Sequence, residues 1–278
     1  MRSTEDEALA RAAVDAPTGQ PALVPEPGLP DPRDLGAPAD RRDHHSLRWT
    51  AKALAPGLAA MAAARRTGDA TPGLRAELGA IGRCTEHSVR LAGGGHRGAL
   101  WVLGLLVAAT APAPVSDAGE NTATARRIAA HTDRAAPRRP SRGSAVSVRY
   151  GAAGARGEAR AGFPHVRRAL AALAAARAAG ATEAQARLDA LLTVMSTVQG
   201  TELPHGAGPL GLRQVQAGAR RVLAAGGTAT QAGAAALAAL DADLHARAWS
   251  PRGSAGLLAG ALYLDALPIS GTPRARTA

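Results

Sequence analysis

Five stretches of the sequence set titratable side chains beside glycine, and each runs into an apolar, helix-forming segment. They read EPGLPDPRDLGAPAD (26–40), GGGHRG (93–98), GARGEARAGFP (154–164), QGTELPHGAGPLGL (199–212) and WSPRGSAGLLA (249–259). The unpaired N–H groups and positive dipole end of a helix start favour an anion, and glycine lets a ligand approach the backbone. Such a set can bind phosphate, with carboxylates left over for a proton or a metal.

Taken singly, the stretches leave alternatives open. GGGHRG has neither the spacing of a P-loop nor a GxGxxG that follows a strand. It reads either as a hinge between helices or as backbone amides that hold a phosphate together with His96 and Arg97. GARGEARAGFP places Arg156 and Glu158 beside glycines, with Phe163 and Pro164 opening the next helix; the bland reading is a surface Arg–Glu pair. In SPRGSAGLL, Pro251 marks a helix start that Ser250 or Ser254 could cap. Asp31, Asp34, Asp40 and Asp43 crowd one loop with His44 and His45, as a magnesium or zinc site or as a solvated acidic turn. Glu202, beside Thr201 and His205, could be a base, a metal ligand or simply exposed. His87, His131, His165 and His245 stand alone on helices and read as structural or solvent-facing; no HExxH occurs.

The elements that must position these groups are helices. Leu188, Leu191, Leu192, Met195 and Val198 recur at the spacing of one buried helical face. Similar faces span 47–66, 74–91, 99–110, 166–178, 212–225, 234–246 and 254–267. Only SAVSVRY (144–150) alternates as a strand would, which is too little for a sheet. The expectation is an all-α fold: a single multi-helix bundle with Ala-rich, closely approaching interfaces, its glycine-rich helix breaks lining a nucleotide site. Segments 17–43, 111–120 and 134–157 read as loops or connectors. Residues 1–20 are expected to be a helical or disordered extension, 21–267 the domain, and 268–278 a disordered tail.

Composition narrows the partners. The formal charge is +11, yet Lys52 is the only lysine, the arginines are scattered, and aromatic residues make up 2%. Too few rings exist for base stacking along a strand, so nucleic acid is not the expected partner. The apolar run from Ala99 to Ala111 is thirteen residues, short of the roughly 20 that span a bilayer. Acids near Met1 argue against an export signal, so the expected location is the cytoplasm. Cys84, the single cysteine, leaves no internal disulfide.

Together and in order, the five breaks resemble one family, the triphosphoribosyl-dephospho-CoA synthases that serve the acyl carrier subunits of malonate decarboxylase and citrate lyase. GARGEARAGFP fits the family's GARGEA-x-x-GFP; GHRGALWVLGLL is similar to its THKG and following LGLL helix. PEPGLPDPRDLGAPAD is similar to PKPGLVD…GAH-x-D, and SPRGSAGLLA to SPGGSADLLA. GLRQVQ is similar to the helix start that follows the family's DDTN…RGG. Differences stand at Glu26, Pro38, Gly94, Gly95, Gly256, the 199–202 stretch in place of DDTN, and 206–208 in place of RGG.

The resemblance implies an enzyme, a transferase that moves the 5-triphosphoribosyl group of ATP to the 2′-hydroxyl of 3′-dephospho-CoA, with adenine leaving. Such glycosyl transfer passes through an oxocarbenium-like transition state and needs an acceptor base and neutralisation of the triphosphate. On that reading, Asp40, Glu158 and Glu202 are the catalytic candidates, with Asp40 or Glu158 as base. Gly95, His96, Arg97, Gly98, Arg156, Gly157, Ser250, Arg252, Gly253 and Ser254 would bind phosphate, and Asp31 and Asp40 would hold Mg²⁺. The expected partners are ATP, 3′-dephospho-CoA and an acyl carrier protein pathway. Two alternatives stand beside it: a homologue that only binds nucleotide or coenzyme A, and a basic helical nucleic-acid-binding protein.

Overall fold

The computed structural model describes residues 3–18, 40–91, 97–115, 117–136, 154–199 and 207–268, with backbone alone at 16–18, 40–52, 97 and 252. Among the described residues there are helices and no strand, as the all-α expectation requires. In chain order they are α1 (Thr4–Thr18), α2 (Asp40–Arg66), α3 (Pro72–Leu91), α4 (Arg97–Thr110), α5 (Ala118–Ala130), α6 (Gly154–Arg160), α7 (Pro164–Ala178), α8 (Glu183–Met195), α9 (Gly208–Ala224), α10 (Gln231–Ala246) and α11 (Arg252–Asp265).

The most apolar helices lie in the middle. α4 carries Leu103, Leu106 and Val107, all buried, and packs against α2, α5 and α11. α11 buries Leu258, Leu262 and Tyr263, and reaches α1, α4, α7 and α8. Small residues let these axes come close. A Cβ on Gly260 of α11 would stand 2.6 Å from Val102 Cγ1 and 2.9 Å from Leu106 Cδ1 of α4. Where the two helices meet, the Tyr263 hydroxyl and the Thr110 hydroxyl share a buried hydrogen bond of 2.5 Å.

Local chemistry sets the helix ends. Ser3 and Asp6 form a reciprocal cap for α1, with Ser3 N–H donating to Asp6 Oδ2 at 2.8 Å and Asp6 N–H to Ser3 Oγ at 3.2 Å. Thr182 and Gln185 do the same for α8. Leu9, Ala10, Ala13 and Val14 bury one face of α1 against α2 and α11, so the N-terminal segment is part of the core.

Two helices were not expected. α5 has Ile128 as its only large apolar residue; its buried face is otherwise Asn121, Thr122, Thr124, Ala125 and Ala129, too polar for a periodicity search. Asp117 caps it by accepting the Glu120 N–H. α6 corrects the reading of 134–157 as a connector: despite two glycines, GARGEAR is helical, held by contacts to α4 and α5 rather than by propensity. The alternating stretch at 144–150 and the tail after Pro268 lie outside the described residues. No helix among the described residues is long and apolar enough to cross a membrane.

Candidate active site

The site begins with how GARGEARAGFP folds. Gly162 closes α6 in the left-handed region (φ 77°), Phe163 follows there too (φ 51°), fully buried, and Pro164 opens α7. Two successive left-handed residues turn the chain between the end of α6 and the start of α7, where Glu158 meets His165. Phe163 offers no side-chain cap. Glu158 takes that place from the preceding helix: its Oε2 accepts the His165 N–H at 3.4 Å, setting a buried carboxylate at the positive end of α7.

The other oxygen, Oε1, lies 2.5 Å from His165 Nδ1. On the far side of the ring, His165 Nε2 is 3.1 Å from Thr197 Oγ1, which also accepts from Arg168 Nη1 at 3.2 Å. A carboxylate only accepts, so in the neutral imidazole the proton sits on Nδ1 toward Glu158 and Nε2 is left to accept from the Thr197 hydroxyl. Glu158, His165, Arg168, Thr197 and Gln199 line a cavity of about 180 Å³. Gly154 N–H donates to Gln199 O at 3.4 Å, closing one end. The arrangement places a basic nitrogen, oriented by a buried carboxylate, at the wall of a cleft with a cation at its rim.

A second polar region adjoins it. Trp101 of α4 donates its indole N–H to Ala155 O at 3.0 Å, fastening the first turn of α6. The Arg75 guanidinium of α3 lies 4.8 Å over the Trp101 ring.

Of the residues singled out in the sequence, Glu158, Arg156 and Gly157 share α6. Glu158 is buried on His165 while Arg156 is exposed, which overturns the surface Arg–Glu pair. Gly98 and the start of α11 come together: a Cβ on Gly256 would lie 3.2 Å from Ala99 N, so the first turns of α4 and α11 touch. Ser254 is buried, and the Ser250 hydroxyl is buried without a hydrogen-bond partner among the described residues. Neither serine caps α11; Pro251 occupies the cap position, so that expectation is corrected. Asp31, Gly95, His96 and Glu202 lie outside the described residues, as do the side chains of Asp40, Arg97 and Arg252.

The contact of His165 with Glu158 goes beyond the sequence reading, in which His165, alone on a helix, is structural or solvent-facing; His131, likewise alone, bonds to Ala70 O. The signal was its place seven residues after Glu158 across a glycine–proline break, where chain reversal can bring two residues together. Thr197 and Arg168 carried none.

Among the described residues, helices present an imidazole–carboxylate pair in a cleft with Arg168 at its rim, an arrangement of the kind found in proteins that bind anionic ligands and transfer protons. The chain belongs to the ATP:dephospho-CoA triphosphoribosyl transferase family, whose model matches residues 6–273. It is 47% identical to a Pseudomonas aeruginosa protein (strain UCBPP-PA14), covering 98% of this chain and 94% of that one. It is also 47% identical to one from Pseudomonas paraeruginosa (97% and 94%) and 45% identical to one from Stutzerimonas stutzeri (96% and 94%). Each of the three is named "Probable 2-(5''-triphosphoribosyl)-3'-dephosphocoenzyme-A synthase". No solved structure matches the chain.

Proposed function

We propose that this protein transfers the 5-triphosphoribosyl group of ATP to the 2′-hydroxyl of 3′-dephospho-CoA, releasing adenine, and that His165 is the base for the acceptor hydroxyl. Family membership supports the reaction; the observation that carries the site is the Glu158–His165–Thr197 chain at the cavity wall.

The acceptor hydroxyl takes the position of the Thr197 hydroxyl as donor to His165 Nε2. As its oxygen bonds to C1 of the ATP ribose, the bond from that carbon to adenine breaks, and adenine leaves with the electron pair and takes up a proton from solvent. The hydroxyl proton passes to Nε2, and Glu158 holds the ring orientation and balances the imidazolium that forms. Arg168 at the rim, 3.2 Å from Thr197, adds positive charge where anionic substrate enters. Glu158, with one oxygen on the ring and the other on a backbone N–H, serves as an orienting group and not as the base.

Mg²⁺ is proposed as the companion of the ATP triphosphate. Among the described residues no three His, Cys, Asp or Glu side chains gather as a metal site, and both Glu158 oxygens face His165. Its protein ligands on this reading are Asp31 and Asp40. The product feeds prosthetic-group assembly on an acyl carrier protein, in the cytoplasm.

The test is release of adenine from ATP by purified protein with dephospho-CoA and Mg²⁺. Adenine that appears only when dephospho-CoA is present supports the reading. A folded helical protein that binds ATP and releases none defeats it in favour of a binding-only homologue.

A further inference from the structure

Arg75, Arg83 and Gly79 form one stripe of α3, at spacings of four residues. A Cβ on Gly79 would collide with the Asp133 carboxylate, so glycine is what admits that carboxylate between the two arginines. Asp133 Oδ2 takes Arg83 Nη1 at 2.7 Å, while its Oδ1 accepts the Ala135 N–H at 3.0 Å. Arg75 is left short. Its nearest approach to Asp133 is 3.9 Å, too long for a hydrogen bond, and its buried Nε has no partner among the described residues. The residue is 6% exposed.

Positive charge accumulates here. Burial pushes the Arg75 guanidinium down from its ordinary value; Asp133 opposes this, and Arg156, Arg83 and Arg160 push it down further. Arg156 and Arg160 sit four residues apart on α6, on one face of that helix. Trp101 joins the two parts, with Arg75 over its ring and its N–H on Ala155 next to Arg156. Arg75 and Arg83 thus share one carboxylate, and Arg156 and Arg160 add positive charge from α6 where one donor group is buried and unpaired. Burying a charged, unsatisfied group is costly unless an anion completes it.

We propose that Arg75, Arg83, Arg156 and Arg160 form a binding site for an oligophosphate chain. This deepens the transferase reading and rests on it for the ligand's identity: the chain is the triphosphate of ATP or the pyrophosphate of dephospho-CoA. Guanidinium forks match phosphate oxygens, and an oligophosphate spans several of them as a single phosphate would not.

The probe is inorganic tripolyphosphate, measured by calorimetry on the wild type, on Arg156→Ala/Arg160→Ala, on Arg83→Ala, and on Arg221→Ala as a control for loss of one exposed cation elsewhere. Arg156 and Arg160 are exposed, so their removal leaves the core intact. Expected is tripolyphosphate binding by the wild type and the control, weakened about tenfold or more in the double variant. KM in the adenine-release assay distinguishes the sources: a rise for ATP alone assigns the triphosphate, a rise for dephospho-CoA alone the pyrophosphate, and either supports the site. Wild-type protein that does not bind tripolyphosphate, or a double variant that matches Arg221→Ala in affinity and both KM values, overturns it. Should the wild type release no adenine, the transferase reading falls separately, while loss of tripolyphosphate binding in the double variant still establishes the site.

Discussion

Glu158 and His165, seven residues apart and on different helices, meet at 2.5 Å because the chain reverses through Gly162 and Phe163 between them. The pair combines two tasks: the carboxylate caps α7 and fixes the imidazole. Glu158→Gln keeps the shape but presents an amide that cannot balance an imidazolium. The adenine-release rate should fall about 10²–10⁴-fold with KM changed little, and His165→Asn should do the same. Near-unchanged kcat in His165→Asn removes it as base.

Trp101 offers a separable test of how α6 is held. Trp101→Phe keeps an aromatic ring beneath Arg75 and deletes the N–H bonded to Ala155 O together with part of the indole's volume. A loss of about 0.5–1.5 kcal/mol in denaturant unfolding is expected, with Trp101→Ala costing distinctly more. Equal losses in the two variants would show that the ring contributes nothing.

Acid sensitivity should concentrate at the first helix. Burial pushes the Asp6 carboxyl up, but the Ser3 N–H, Arg66 and the Ser3 hydroxyl together hold it below its usual value. A carboxyl lowered in the folded state contributes stability that is complete above its unfolded value and lost as pH falls through the folded one. Asp6→Asn should therefore lower stability by about 1–3 kcal/mol at neutral pH and reduce the difference toward strongly acid pH. Unfolding curves that run parallel at every pH would exclude this role.

Gly260 is predicted to be intolerant of even one carbon. Its Cβ would meet Val102, Leu106 and Val166, from two neighbouring helices, at 2.6, 2.9 and 3.3 Å. Gly260→Ala should destabilise by about 1–3 kcal/mol despite alanine's better helix propensity, measured as a lowered Tm. A raised Tm would mean that α4 and α11 separate at little cost.

Much of this was legible in the sequence, for a physical reason. Apolar periodicity and glycine or proline punctuation are local, and each of the five breaks contains a helix start: Asp40, Arg97, Pro164, Gly208 and Arg252. α5 escaped because threonine, asparagine and alanine bury as well as leucine when neighbours are close. At the site, Glu158 could be found from its motif. His165 offered only its seven-residue spacing from Glu158, and Thr197 and the Arg75–Asp133–Arg83 group offered nothing, because their meaning lies in contacts across 32 to 58 positions of chain, such as His165 with Thr197 at a separation of 32. Asp133 lies 50 positions from Arg83. Arg75 stands 58 positions before Asp133 (133 − 75) and presents no pattern until α3, α4 and the turn after α5 are assembled.

α6 spans under two turns, yet it carries Glu158 between Arg156 and Arg160. Each residue turns a helix by about 100°, so Glu158 points away from both arginines, which themselves nearly eclipse. Trp101 holds the helix at one end and buried Phe163 at the other, and both contacts oppose its rotation as a unit. The helix behaves as a keyed shaft: the carboxylate that holds His165 and the proposed anion grip are set in one angular phase, and inserting one residue between 156 and 158 would swing one of them out of alignment while leaving every side chain present.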